Sequence, residues 1–327
     1  MRGSFWAKNS SFLKTVNTKT ERLTRSNLRG VWGALITPWT ENFTLREDRL
    51  AEEVTRYARD GLHGVYTGGT TGEFYAQSDV TYARITEVVC RTAMAEKIST
   101  QIGCTALSNI TTAERIRIAV DSGADALQLA LPFWLELKDD EVMSFFRACV
   151  RAADDLPIVF YNTERAKRRI GPSLLGRLTR EFPTLIGMKD TGCSPEELRE
   201  MLDETGGFSI FGGEDSLWTH MPHGGMGCYS SLCGLKASLL LDLYELCLQR
   251  EWEKAKSLHQ SVMNLLTAVG PMIDNGLLDS ALDRAFRILG GSDVGLECAG
   301  PYRSFTAAQL DQLHKAIQSL CPEWLVR

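Results

Sequence analysis

Eight short apolar runs, separated by longer stretches of helical period, decide what this chain can become. They read "GVWGALIT", "GVYTGG", "STQIGCTA", "ALQLALP", "PIVFYNT", "LIGMKDT", "FSIFGG" and "GCYSSLCG". An unbroken apolar run suits a strand covered on both faces. The segments between, such as "REDRLAEEVTRYARDG" and "TTAERIRIAVDSGA", repeat apolar positions every three or four residues, and a glycine follows the last turn. Repeated strand–helix units build a parallel sheet. Eight of them between residues 30 and 235, about 25 residues apiece, suit a (β/α)8 barrel, whereas a doubly wound sheet uses fewer strands. The expected fold is therefore α/β, a (β/α)8 TIM barrel.

After Gly234 the strands stop and helical patterns follow one another: "KASLLLDLYELCLQREWEKAKSLHQSVMNLLTAV", "NGLLDSALDRAFRILGG" and "TAAQLDQLHKAIQSL". Residues 236–327 are expected to be a helical region packed on the barrel of residues 30–235, with no linker rich in Ser, Gly or Pro between them. Residues 1–29 stand apart as a basic, polar extension. Arg2, Lys8, Lys14, Lys19, Arg22, Arg25 and Arg29 face the single acid Glu21 there, a pattern shared by organelle transit segments and by solvated leaders.

Composition removes several classes of function. With 36 basic and 41 acidic side chains, well mixed, and a net charge of -5, the chain lacks the basic surface that nucleic acid requires. No window approaches the roughly 18 unbroken apolar residues of a membrane span. The nine cysteines are scattered and never form a CxxC pair, which points to a reducing cytoplasm rather than to a disulfide frame or zinc knuckle. His63, His220, His223, His259 and His314 show no metal spacing, so no metal is expected.

Barrel active sites lie at the C-terminal ends of the strands. The ends that carry chemistry are Thr70, Thr71 and Glu73 after the second strand, Tyr161 and Asn162 on the fifth, Lys189 and Asp190 on the sixth, and Gly213, Glu214 and Asp215 after the seventh. Lys189 ends an apolar strand. Burial there is expected to lower its pKa toward roughly 7–8, at a cost of about 4 kcal/mol of solvation, and so to leave a nucleophilic amine. Such an amine attacks a ketone to give a carbinolamine and then an iminium, which draws electrons from the neighbouring carbons. Ordinary pairing with Asp190 is the plain alternative. Tyr161, one strand away, can relay protons to the carbinolamine or serve as a core tyrosine. In "VYTGGTTGEF" the N–H groups and hydroxyls of Thr70 and Thr71 suit the carboxylate of a 2-oxo acid, or Thr71 caps a helix; the loop has neither a Walker lysine nor GxGxxG spacing.

Taken together and in order, "GGTTGE", "YN" and "GMKD" resemble the dihydrodipicolinate synthase and N-acetylneuraminate lyase family of Schiff-base (class I) aldolases, over about Arg29 to Leu320. The resemblance implies Lys189 as the Schiff-base lysine, Tyr161 as the proton-relay phenol, Thr70 as its hydroxyl partner and Thr71 as a carboxylate ligand. It also implies the main-chain carbonyl of Tyr229 beside the keto acid, and Gly213 and Glu214 of "FGGEDSLW" at the polyol part of a sugar acid. No cofactor is implied beyond the covalent lysine, and a homotetramer or dimer is.

The sequence departs from the family in two places. "LPFWLEL" puts Phe133 and Trp134 where the synthase carries an inter-subunit tyrosine; Trp134 becomes a substrate-side aromatic without a hydroxyl. In "YNTERAKRRIG" Glu164 replaces a proline and Ala166 replaces the carboxylate-binding arginine, which turns the reading away from lysine biosynthesis. Arg165 is the candidate to reach over the mouth toward an acidic substrate, against a plain solvated loop or subunit contact. The expected function is a lyase making or cleaving a C–C bond in a 2-oxo acid, with pyruvate plus an aldehyde, or a 2-keto-3-deoxy sugar acid, as the substrate class. A Schiff-base dehydratase or deaminase is the first alternative, a non-catalytic keto-acid-binding barrel the second.

Overall fold

The structure, a computed structural model, describes residues 21–274 and 276–325. The first twenty residues of the basic extension lie outside the described residues. Strands and helices alternate: β1 Gly30–Ala34, α1 Glu47–Arg59, β2 Gly64–Thr67, α2 Asp79–Glu96, β3 Ser99–Gly103, α3 Asn109–Asp121, β4 Ala126–Leu129, α4 Asp139–Ala153, β5 Ile158–Asn162, α5 Pro172–Glu181, β6 Leu185–Asp190, α6 Pro195–Thr205, β7 Ser209–Phe211, α7 Leu217–His220 and β8 Gly227–Ser230. Then come α8 Cys233–Leu248, α9 Trp252–Asp274, α10 Asp279–Leu289 and α11 Ala307–Leu320. The eight strands pair in parallel in the order β7-β6-β5-β4-β3-β2-β1-β8, and a bridge between Gly212 and Cys228 brings β7 to β8. This is a (β/α)8 TIM barrel with added C-terminal helices.

Local chemistry sets the punctuation. Ser78, Ser108 and Ser194 sit just before α2, α3 and α6, and each side chain accepts a hydrogen bond from an N–H of the first turn. The long helical stretch read after Gly234 is two helices. It breaks between Leu248 and Trp252, where Arg250 adopts a positive φ of 61°. At Gly68, with φ of 72°, an added Cβ would lie 2.4 Å from the Gly103 carbonyl oxygen, so only glycine lets β2 turn out beside β3.

The apolar core divides by strand parity. Val31, Val65, Ile102, Leu127, Phe160, Met188, Ile210 and Cys228 face outward into the shell shared with the helices. Trp32, Tyr66, Ala126, Val159, Phe211 and Tyr229 fill the barrel interior, and Leu23 and Leu28 join them from the segment before β1. Arg25 in that segment donates to the carbonyls of Thr179 and Leu185, so residues 21–29 pack on the barrel although the sequence reading assigns them to the extension.

One irregularity decides where the sixth strand aims its end. Ile158 pairs with Leu185, but Val159 pairs with Gly187, so β6 carries one extra residue, Ile186. Beyond this bulge Tyr161 faces Lys189 and Asn162 faces Asp190. Without the extra residue Tyr161 would stand beside Met188, which points into the outer shell. The bulge thus turns Lys189 into the barrel and Asp190 away from it.

Candidate active site at the barrel mouth

Lys189 is half-buried. Its Nζ lies 4.7 Å from the centre of the Tyr161 ring, 5.3 Å from that of Tyr66 and 5.8 Å from that of Tyr229. It donates to the Tyr66 hydroxyl at 3.5 Å. Tyr229 in turn donates to Gln101 Oε1 at 2.9 Å, which fixes the floor of the site. Tyr66 was passed over because the sequence reading carried the second strand on through Gly69, whereas β2 ends at Thr67 and Tyr66 is its second-to-last residue. Its signal was parity, since it alternates with the outward Val65 and Thr67.

The pairing of Lys189 with Asp190 does not form. Asp190 accepts from Asn162 Nδ2 at 2.7 Å, from Arg169 at 2.8 and 3.0 Å, and from Gly192 N–H at 2.9 Å. The expected lowering of the lysine pKa is not found either. Burial pushes the ammonium down, but Tyr66, Tyr161 and Glu214 around it push it up, and the net direction is upward. The Tyr66 phenol is itself held protonated, its pKa pushed up to about 12 by burial. At neutral pH the amine is therefore an ammonium among phenol dipoles, and it must release a proton before it can attack a ketone.

Thr71 is buried, and its hydroxyl is already engaged: it donates to Asp283 Oδ2 at 2.7 Å. Ser231, just past β8, donates to the other oxygen of the same carboxylate at 2.6 Å. The main-chain N–H groups of Thr70 and Thr71, by contrast, have no partner among the described residues. No hydrogen bond joins the hydroxyls of Thr70 and Tyr161. Glu73 serves the fold instead: fully buried, it takes Arg284 at 2.6 Å, Trp39 Nε1 at 2.7 Å and the Ala299 N–H at 3.0 Å.

Glu214 is half-buried beside this group, and burial raises its carboxyl to about 7. Gly213 contributes its N–H to Ser216 Oγ at 3.0 Å, closing the turn that carries Glu214. Two further candidates come from the loops after β4 and β5. Trp134 is 77% exposed on the loop after β4, and Arg165 pairs with Asp279 at 2.7 Å at the start of α10. Arg168 and Arg169 are likewise paired, with Asp139 at 3.0 Å and with Asp190 and Glu197. Asp283, which sequence reasoning missed, comes from the helical region 212 residues beyond Thr71, a separation that no local motif could reveal.

A cleft of about 730 Å³ between α1 and residues 290–293 is lined by charged side chains such as Arg49 and Arg56 and includes none of these residues. Among the described residues no three His, Cys, Asp or Glu side chains are grouped to hold a metal ion, and no helix is long and apolar enough to cross a membrane. All nine cysteines are buried free thiols.

A profile of the Dihydrodipicolinate synthetase family matches residues 27–320. The chain belongs to that family. The 4-hydroxy-tetrahydrodipicolinate synthase of Thermus thermophilus is 31% identical over 234 residues, 71% of this chain and 78% of that one. Among solved structures, a prophage protein of the dihydrodipicolinic acid synthase family from E. coli, in complex with pyruvate, superposes with a TM-score of 0.83 at 20% identity, covering 90% of this chain and 99% of the other. The N-acetylneuraminate lyase of Fusobacterium nucleatum gives 0.79 at 20% identity over 90% and 99%. At such identities the structural likeness speaks for the fold alone.

Proposed function

We propose that the protein is a lyase that forms a Schiff base between Lys189 and a 2-oxo acid and makes or breaks a C–C bond beside it. The observation that carries this reading is the cluster at the barrel mouth: one half-buried amine ringed by the phenols Tyr66, Tyr161 and Tyr229, with the loop after β2 offering the N–H groups of Thr70 and Thr71, which have no partner among the described residues. Membership in a family whose relatives are named as synthase and lyase supports it.

In this mechanism the two N–H groups hold the substrate carboxylate, as neutral donors can in a concave backbone site. The ammonium of Lys189 first loses a proton to a neighbouring group, for which Glu214, whose charge acts on the lysine, is the candidate. The amine adds to C2 of the keto acid, and water leaves as the iminium forms. In the cleavage direction the C4 hydroxyl gives up its proton, the C3–C4 bond breaks and its electron pair moves into the iminium to give an enamine. An aldehyde departs, C3 is protonated, and hydrolysis returns pyruvate and the free amine. Tyr161, its ring over the amine, is the phenol for the proton steps at the carbinolamine and at C3. The iminium is the electron sink, so the mechanism calls for no cofactor or metal.

The substrate class this favours is a 2-keto-3-deoxy sugar acid or related hydroxy-oxo acid. A homo-oligomer belongs to the same reading, supported by Leu107, Trp134 and Leu135 on the loops after β3 and β4 and Ile110 in the first turn of α3, all of which stand exposed. The direct test is a screen of 2-keto-3-deoxy acids for released pyruvate. Wild-type protein is expected to release it from at least one, and Lys189→Ala from none. Turnover by Lys189→Ala, or a product that keeps all its carbons, would remove the aldolase assignment.

A further inference from the structure

The segment before β1 holds β6 on both sides of its extra residue. Leu185 faces the outer shell and Ile186 the barrel interior. A regular strand would then turn Gly187 outward, Met188 inward and Lys189 out of the barrel. Met188 lies instead in the outer shell, so Ile186 and Gly187 both sit on the inner side and Lys189 follows on that side.

Before the extra residue, Arg25 donates to the Leu185 carbonyl through Nε at 3.3 Å and Nη2 at 3.1 Å, and Nη2 also reaches the Thr179 carbonyl in the last turn of α5 at 3.1 Å. The guanidinium lies 5.4 Å from the centre of the Phe208 ring, and the Arg25 carbonyl accepts from Ser209 Oγ at 2.8 Å, at the start of β7. After the extra residue, Leu28 is buried in the interior against Gly187: a Cβ added there would lie 2.5 Å from Leu28 Cδ2. Leu28 thus fills the room that an inward-turned glycine leaves. In the regular register that glycine would face the outer shell, and the seat would be gone. A bulge leaves one residue unpaired, so the ladder alone does not fix where the extra residue sits.

We infer that Arg25 and Leu28 are positioning residues for Lys189: by holding Leu185 and Gly187 on either side of Ile186, they keep β6 in the register that aims the amine into the barrel mouth. The inference rests on the Schiff-base reading, and it makes the segment before β1 part of what that site needs, although neither residue touches the reacting atoms.

The test is the rate constant of borohydride trapping at saturating pyruvate, with the adduct located by peptide mapping. A variant that is merely less stable yields fewer trapped molecules at an unchanged rate constant, whereas a displaced amine is trapped more slowly in every folded molecule. Arg25→Met removes the donors and is expected to slow trapping about tenfold, and Gly187→Ala, which displaces Leu28, by at least about tenfold. Arg25→Lys keeps a donor and is expected to stay within about threefold of wild type. A wild-type rate constant in Arg25→Met or in Gly187→Ala, or an Arg25→Lys as slow as Arg25→Met, overturns the inference while leaving the Schiff base standing. If Arg25→Met fails to fold, Gly187→Ala decides. No trapping by wild type overturns both.

Discussion

Two buried acids lie where the loop after β2 meets α10, and they are satisfied in different ways. Glu73 meets a guanidinium, an indole N–H and a backbone N–H, so every oxygen has a donor and its charge is matched. Asp283, one residue before the Arg284 that satisfies Glu73, meets two neutral hydroxyls and has no ion-pair partner among the described residues, though the charge of Lys189 acts on it. The first acid ties the strand-end loop to α10. The second ties the same loop and the end of β8 to α10 without a cation to match its charge. The contrast teaches that a buried acid paired with a guanidinium costs the fold most when its partner is lost, whereas one solvated only by hydroxyls keeps a raised pKa.

The largest effect that would sharpen this contrast is on the structural side. Arg284→Met strands Glu73 in a fully buried position, and removing one partner of such a pair typically costs about 3–5 kcal/mol. Urea unfolding should show that loss, while Asp283→Asn should cost much less; equal losses would erase the distinction between the two acids. Next comes the relay. Tyr161→Phe keeps the ring over Lys189 but removes the hydroxyl, and turnover should fall by roughly a hundredfold or more. An effect below threefold would leave Tyr161 a packing residue.

The smallest effect lies in pH. The Asp283 carboxyl is raised from 3.8 to about 6 in the folded protein, so the folded state holds its proton where the unfolded chain has released it. Folding stability from this group is therefore highest below about pH 4 and declines as pH rises toward 6, by an amount on the order of 2 kcal/mol. Asp283→Asn has no such titration. The stability of wild type relative to the variant should fall between pH 4 and 7; a difference that stays constant would mean that Asp283 is not desolvated as described.

How far the sequence spoke for itself follows from the range of each signal. All eight strands were legible, because an apolar run buried on both faces is a local property, and so was the position of Tyr161 and Lys189 next to the last residue of β5 and β6. Their facing geometry was not, since it depends on the extra residue Ile186 in β6, and a one-residue shift leaves the composition of a strand unchanged. The partner of Thr71 was hidden for a different reason: the reading offered its hydroxyl to a substrate carboxylate, while a carboxylate from α10 already holds it. The direction of the Lys189 pKa was misjudged because burial was weighed without the phenols and Glu214 that gather around the amine.

The central claim is a covalent bond at one lysine. Incubating the protein with pyruvate and borohydride, then mapping peptides by mass, should find a single reduced adduct on the peptide bearing Lys189, formed faster as pH rises and the ammonium gives way to amine. An adduct on another lysine, or none at any pH at which the protein stays folded, would contradict the account.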